Sequence, residues 1–212
     1  MIIIGAQGFA KELLTVLNWN DAADHLYFFD NVTTDMPDHL YGIYPVLKSW
    51  QALKDYISTQ SPEFILGVGG TSIRMSLSEK VQSLGGKLCS LTSSHALIGK
   101  FGNIIGDGAC IMSQATITCD VCIGEGTLVN KGSIISHDVV IGKYSEISPG
   151  VRVLGHAKIG DLTEIGTNAV ILPHICVGSC CKVGAGAVVT KDVPDHSTVV
   201  GIPAKSIRPI KT

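Results

Sequence analysis

From Ile105 onward an aliphatic residue stands at every sixth position without a gap: Ile105, Ile111, Ile117, Ile123, Val129, Ile135, Ile141, Ile147, Val153, Ile159, Ile165, Ile171, Val177, Val183 and Val189. Four residues after each comes a small or β-branched side chain, among them Ala109, Thr127, Ser145, Thr163 and Cys181. A period of six matches neither the 3.6 residues of an α-helix nor the two of a half-buried strand. It fits a chain wound as a triangular prism, in which each hexapeptide supplies one short strand and one turn. Eighteen residues then complete a coil, and about five coils stack at roughly 4.8 Å. The aliphatics point inward and the small residues fill the corners, so Cys181 reads as a small hydrophobe. The glycines of Ile123-Gly124, Ile141-Gly142 and Ile159-Gly160 are expected to serve turns at positive φ.

The first 90 residues follow a different rhythm. "MIIIGA", "HLYFFDN" and "EFILGVGG" are short apolar runs that predict strands, and "FAKELLTVLNW", "KSWQALKDYIS" and "TSIRMSLSEKVQSLG" carry helical spacing. Strands alternating with helices predict a small parallel sheet covered by helices, with "KLCSL" as a last strand leading onward. The boundaries expected are an α/β domain over 1–90 and a prism with a C-terminal tail over 91–212.

Composition narrows the function classes. The chain is 45% apolar and 16% charged with a net charge of −2, which excludes disorder and gives no basic block for nucleic acid or an anionic membrane. No apolar run reaches membrane-spanning length. "MIIIGAQGFAKE" has no basic leader and reads as a first strand, so a cytoplasmic location is expected. Seven cysteines include Cys119-x-x-Cys122 and the contiguous Cys180-Cys181, whose spacing does not suit a four-cysteine zinc site. Reduced thiols are expected instead.

Chemistry can enter where the repeat is interrupted in side-chain type. His137 lies two residues past its aliphatic, on a turn, and its ring should face outward. One coil later the equivalent position is Gly155, which leaves room above the ring and a backbone N–H that a ligand can approach. Asp138 adjoins the histidine and can fix its tautomer. A general base, an orienting carboxylate and an oxyanion donor suit acyl transfer; a surface histidine without a role is the plain alternative.

The uninterrupted hexads, "SIISHDVVIG" and the closing "STVVGIPAK" resemble the left-handed β-helix acyltransferases. The N-terminal "GAQGFAKE", "FFDN" and "GVGGTSIR" narrow the resemblance to nucleotide-sugar N-acetyltransferases of the PglD type and sialic-acid O-acetyltransferases of the NeuD type. It covers essentially the whole chain and supplies the handedness of the helix. It implies that His137, partnered by Asp138, takes the proton from a sugar amine or hydroxyl that attacks acetyl-CoA directly, with Gly155 N–H on the acetyl carbonyl and the backbone near Ala185 lining the CoA groove. It further implies that Asn130 contacts the sugar, that Gly5, Gln7, Gly8 and Phe9 receive the pyrophosphate at a helix start, and that Asp30 and Asn31 read the base. Glu146 stands where the family often has a second histidine; an anion cannot donate to an oxyanion, which leaves a sugar contact or action as the protonated acid. Zinc-binding hexapeptide enzymes space histidines five apart, and Gly142 stands five after His137, so no metal is expected even though Asp138, His156 and His174 recur at eighteen-residue intervals. The implied activity is N-acetylation of a UDP-linked 4-amino-4,6-dideoxysugar by a homotrimer with sites between subunits. The alternatives are sugar O-acetylation and a non-catalytic trimeric binding protein.

Overall fold

In the computed structural model, which describes residues 1–207, the chain divides into two compact units. The first is Met1–Gly69 with Ile73–Ser90, and the second is Gly70–Ser72 with Leu91 onward. The first unit runs β1 (Ile2–Ile4), α1 (Gly8–Trp19), β2 (Tyr27–Phe29), β3 (His39–Leu40), β4 (Tyr44–Leu47), α2 (Trp50–Thr59), β5 (Glu63–Leu66), α3 (Thr71–Ser83, whose first residues belong to the second unit) and β6 (Lys87–Leu88). The sheet order is β3-β4-β2-β1-β5-β6, parallel throughout except for β3 against β4. Ile2, Ile3, Ile4, Phe28 and Phe64 are fully buried, as central strands covered on both faces require. The strands β3 and β4 were not among the predicted elements. Pro45 inside β4 masks the strand signal, yet β4 still pairs with β2 through Phe28 and Val46. Arg74 of α3 is completely buried and donates through Nη1 to Leu66 O at 3.1 Å and Val68 O at 2.9 Å, which ties down the chain leaving β5.

The second unit is a left-handed parallel β-helix. Its strands are two or three residues long and form three sheets, one per face of the prism. Parallel partners lie eighteen residues apart, as in Ile117–Ile135, Ile123–Ile141 and Val129–Ile147. Every inward aliphatic from Ile111 to Val189 is at most 3% exposed. Winding begins earlier than the hexads do: Leu91 pairs with Cys110, a first coil of 110 − 91 = 19 residues. "KLCSL" is therefore divided, Lys87–Leu88 joining the first sheet and Leu91–Thr92 the prism. The last coil closes in 198 − 182 = 16 residues, with Lys182 opposite Thr198.

Two expectations about the repeat are corrected. Gly124, Gly142 and Gly160 do not have positive φ; a Cβ on Gly124 would lie 2.6 Å from the backbone of Gly142, so these glycines permit coils to approach. The left-handed position is two residues further on, at every sixth residue from Gly108 to Gly186, where φ lies between 49° and 71°. Asp138, His156 and His174 all occupy it. Asn and Asp tolerate this region better than most residues, and the stacked coils hold the others in it. The second correction concerns one corner, which is polar. Thr127, Ser145 and Thr163 donate their hydroxyls to Gly142 O, Gly160 O and Gly178 O at 2.6–2.7 Å, and each accepts a backbone N–H from the next coil. Cys181 continues the column as a donor to Pro194 O at 3.0 Å, so its thiol is a hydrogen-bonding group as well as a space filler. Among the described residues, no helix is long and apolar enough to cross a membrane.

Candidate active site

The turn after Ile135 carries His137 and Asp138. Left-handed backbone at Asp138 folds its carboxylate back, and His137 Nδ1 lies 2.7 Å from Asp138 Oδ2. The hydrogen bond from His137 holds the Asp138 carboxyl below the usual carboxylate range; partial desolvation opposes this and the nearby His156 assists it. An ionised carboxylate only accepts, so the shared proton is on Nδ1, and in the neutral ring it is Nε2 that carries the accepting lone pair. Both side chains are about half exposed, at 54% and 43%.

Gly155 lies one coil further along the same face. A Cβ built on it would sit 2.6 Å from His137 Cε1 and 2.7 Å from Nε2. The room expected above the ring is thus filled by the ring itself, which packs on the bare backbone of Gly155. The coil-to-coil bonds run on either side, His156 N–H to His137 O at 3.1 Å and His174 N–H to Gly155 O at 3.0 Å. Among the described residues, the Gly155 N–H has no backbone acceptor. His156 comes within 3.7 Å of Asp138 Oδ2 through Nε2, and its ring stacks on His174 with centroids 4.7 Å apart and planes 8° apart. The eighteen-residue interval between these residues was legible; the sharing of Asp138 by two imidazoles was not, because it depends on side-chain rotamers.

The remaining predicted residues of this unit are engaged separately. Asn130 is buried and its Oδ1 accepts from Lys131 N–H at 2.8 Å. Glu146 Oε2 accepts from Gly70 N–H at 2.9 Å, both residues lying in the second unit. Ala185 is exposed on its turn, 19 residues beyond Gly166, whose added Cβ would meet its backbone nitrogen at 2.6 Å.

In the first unit a cavity of about 270 Å³ opens at the C-terminal ends of β1, β2 and β5 and is lined by Gly5, Gln7, Asp30, Asn31 and Ile73 among others. Phe9 lines an adjoining hollow with Gly67 and Gly69, whereas Gly8 begins α1 and lines neither. Open parallel sheets place ligands at this end. Gly5 has φ 110°, and a Cβ there would meet Gly67 O at 2.7 Å, so only glycine fits. Asp30 is committed to its own loop: it accepts from Val32 and Thr33 N–H at 3.0 and 2.9 Å and from the Thr33 hydroxyl, which also accepts from Gln7 Nε2.

Residues 1–81 match the model of the PglD N-terminal domain, and residues 120–155 and 156–191 match the bacterial transferase hexapeptide model of six repeats. No curated protein matches the sequence significantly. Among solved structures, the acetyltransferase domain of PglB from Neisseria gonorrhoeae is 30% identical, with a TM-score of 0.88 over 97% of this chain and 98% of that one. WeeI from Acinetobacter baumannii is also 30% identical, with a TM-score of 0.87 over the same shares. A histidine-to-asparagine mutant of perosamine N-acetyltransferase from Caulobacter crescentus, solved with CoA and GDP-perosamine, is 25% identical with a TM-score of 0.90 over 98% and 96%. With a 30% identical relative matched over nearly its full length, and both halves recognised by their own models, the chain belongs to the PglD-like, hexapeptide-repeat sugar acetyltransferases and is an acyltransferase.

Proposed function

We propose that the chain transfers the acetyl group of acetyl-CoA to the 4-amino group of a nucleotide-linked 4-amino-4,6-dideoxysugar, UDP-linked, and that His137 is the general base. The observation that carries this reading is the His137–Asp138 pair seated on Gly155, with Nδ1 committed to the carboxylate and Nε2 left as an acceptor. The amine attacks the thioester carbonyl carbon and passes its proton to His137 Nε2. The C–S bond then breaks, and the departing thiolate takes that proton back, so the base is restored. Gly155 N–H, without a backbone acceptor, donates to the carbonyl oxygen as charge collects there. Ala185 lines the CoA groove, and Asn130 and Glu146 face the sugar. The cavity bordered by Gly5, Gln7, Asp30 and Asn31, with Gly8 and Phe9 at the start of α1, takes the nucleotide. The working form is a cytoplasmic homotrimer whose sites lie between subunits.

A GDP-linked sugar is the second reading, favoured by the GDP-perosamine complex of the Caulobacter enzyme. The test is acetyl transfer from acetyl-CoA, followed by chromatography, to UDP- and GDP-linked 4-amino sugars and to free sialic acid. Acetylation of the UDP-amino sugar ahead of the others is the expected result. Preference for the GDP sugar moves the substrate to the second reading. Turnover of sialic acid alone, or failure to bind acetyl-CoA, overturns the proposal.

A further inference from the structure

The side chains around Asp138 are arranged as metal ligands as well as acid–base groups. His137, Asp138 and His156 each present a ligand atom, and the three lie within 4.8 Å of one another. Asp138 Oδ2 is 2.7 Å from His137 Nδ1 and 3.7 Å from His156 Nε2. Zinc bonds of roughly 2.0–2.2 Å at tetrahedral angles separate neighbouring ligand atoms by about 3.3 Å, between those two distances. Placement comes from the repeat: Asp138 and His156 sit at the same left-handed position of successive coils, and His137 precedes one of them. His174 stacks face to face on His156 and limits its rotation, so the imidazole is presented toward the carboxylate. The three groups are exposed, which gives an ion a path in and leaves a fourth position for water.

We propose that His137, Asp138 and His156 form an inhibitory site for a divalent transition cation of the zinc class. Two imidazoles and one carboxylate are donors that suit zinc and disfavour magnesium and calcium. Binding disables the base through Nδ1, the ring nitrogen that faces Asp138. An ion there displaces the Nδ1 proton, which moves to Nε2 through solvent with no net loss, and the accepting lone pair on Nε2 is gone. The effect on turnover rests on the base assigned above; the binding site does not.

The test is calorimetric titration of the full chain with zinc chloride, together with the visible spectrum of the cobalt form and acetyl transfer followed by chromatography. The comparison variant is His156→Asn, since Asn tolerates the left-handed backbone there. Loss of an outer-shell partner alone weakens metal binding about 10- to 100-fold, so loss of a ligand should do at least that. The expected result is binding to the wild type weakened by that factor or more in His156→Asn, a cobalt spectrum without thiolate charge transfer, and inhibition reversed by a chelator. Equal binding by the two proteins, or a thiolate band from Cys176 or Cys180, overturns the site. Zinc that binds at the wild-type site without slowing turnover upholds the site and removes the base assignment of His137.

Discussion

Gly155→Ala isolates the contact on which the chemistry depends. The new methyl carbon would stand 2.6 Å from His137 Cε1, 2.7 Å from Nε2 and 3.3 Å from Nδ1. Ordinary carbon contacts are about 3.5–4.0 Å, so the ring must withdraw by about 1 Å. The backbone poses no obstacle, because Gly155 is not at positive φ. The ring is half exposed and can swing outward, which keeps the loss of stability to about 1 kcal/mol or less. Withdrawal breaks the 2.7 Å bond to Asp138 and displaces Nε2. A misplacement of about 1 Å costs roughly 100-fold in rate, or about 2.7 kcal/mol of barrier. Gly124→Ala provides the contrast, since its Cβ would strike the backbone of Gly142 and Lys143 at 2.6 Å, which cannot move aside. Steady-state kinetics and thermal unfolding of both variants are the assay. Gly155→Ala should lose turnover with a fall in melting temperature of no more than about 4 °C, and Gly124→Ala should lose more. Full turnover in Gly155→Ala would refute the reasoning.

Further outcomes follow from other contacts. Asp138→Asn replaces an acceptor-only carboxylate by an amide whose NH2 can donate to His137 Nδ1 and stabilise the wrong tautomer, and should lower kcat by about 100-fold, with little change in the acetyl-CoA dissociation constant measured by calorimetry. Because the Asp138 pKa is lowered in the fold, the stabilisation from this pair is complete above the unfolded carboxylate range and is lost as pH falls through the folded value. Denaturation curves of wild type and Asp138→Asn should therefore converge at low pH. Thr163→Val deprives Gly178 O of a donor and the Cys181 N–H of its acceptor, and should cost about 1–3 kcal/mol in urea unfolding, with Thr163→Ser close to wild type. Cys180 is exposed, whereas Cys181 is buried and burial pushes its thiol pKa up. Alkylation followed by peptide mass spectrometry should label Cys180 first and spare Cys181 until unfolding.

The prism was legible because a buried face repeats: only a six-residue period puts Ile117, Ile135 and Val153 at one register on successive coils. Its ends were less so. The first coil is a residue longer than the period and the last is two shorter, which leaves Leu91 and Thr198 outside the hexads. In the α/β unit, α1 to α3 announced themselves by spacing, while β4 was hidden by Pro45 and is held as a strand by pairing with β2. The alignment of His137 with Gly155 followed from eighteen-residue arithmetic alone. The occupation of that space by the ring, the attachment of Glu146 to Gly70 and the three bonds that bind Asp30 into its own loop depend on rotamers and local turns, which spacing does not encode.

The central claim is most directly tested by the turnover of His137→Ala at saturating acetyl-CoA and nucleotide-linked amino sugar. Removal of a general base predicts a fall in kcat of about 10²–10⁴-fold with acetyl-CoA binding unchanged. A variant that turns over at the wild-type rate would contradict the account.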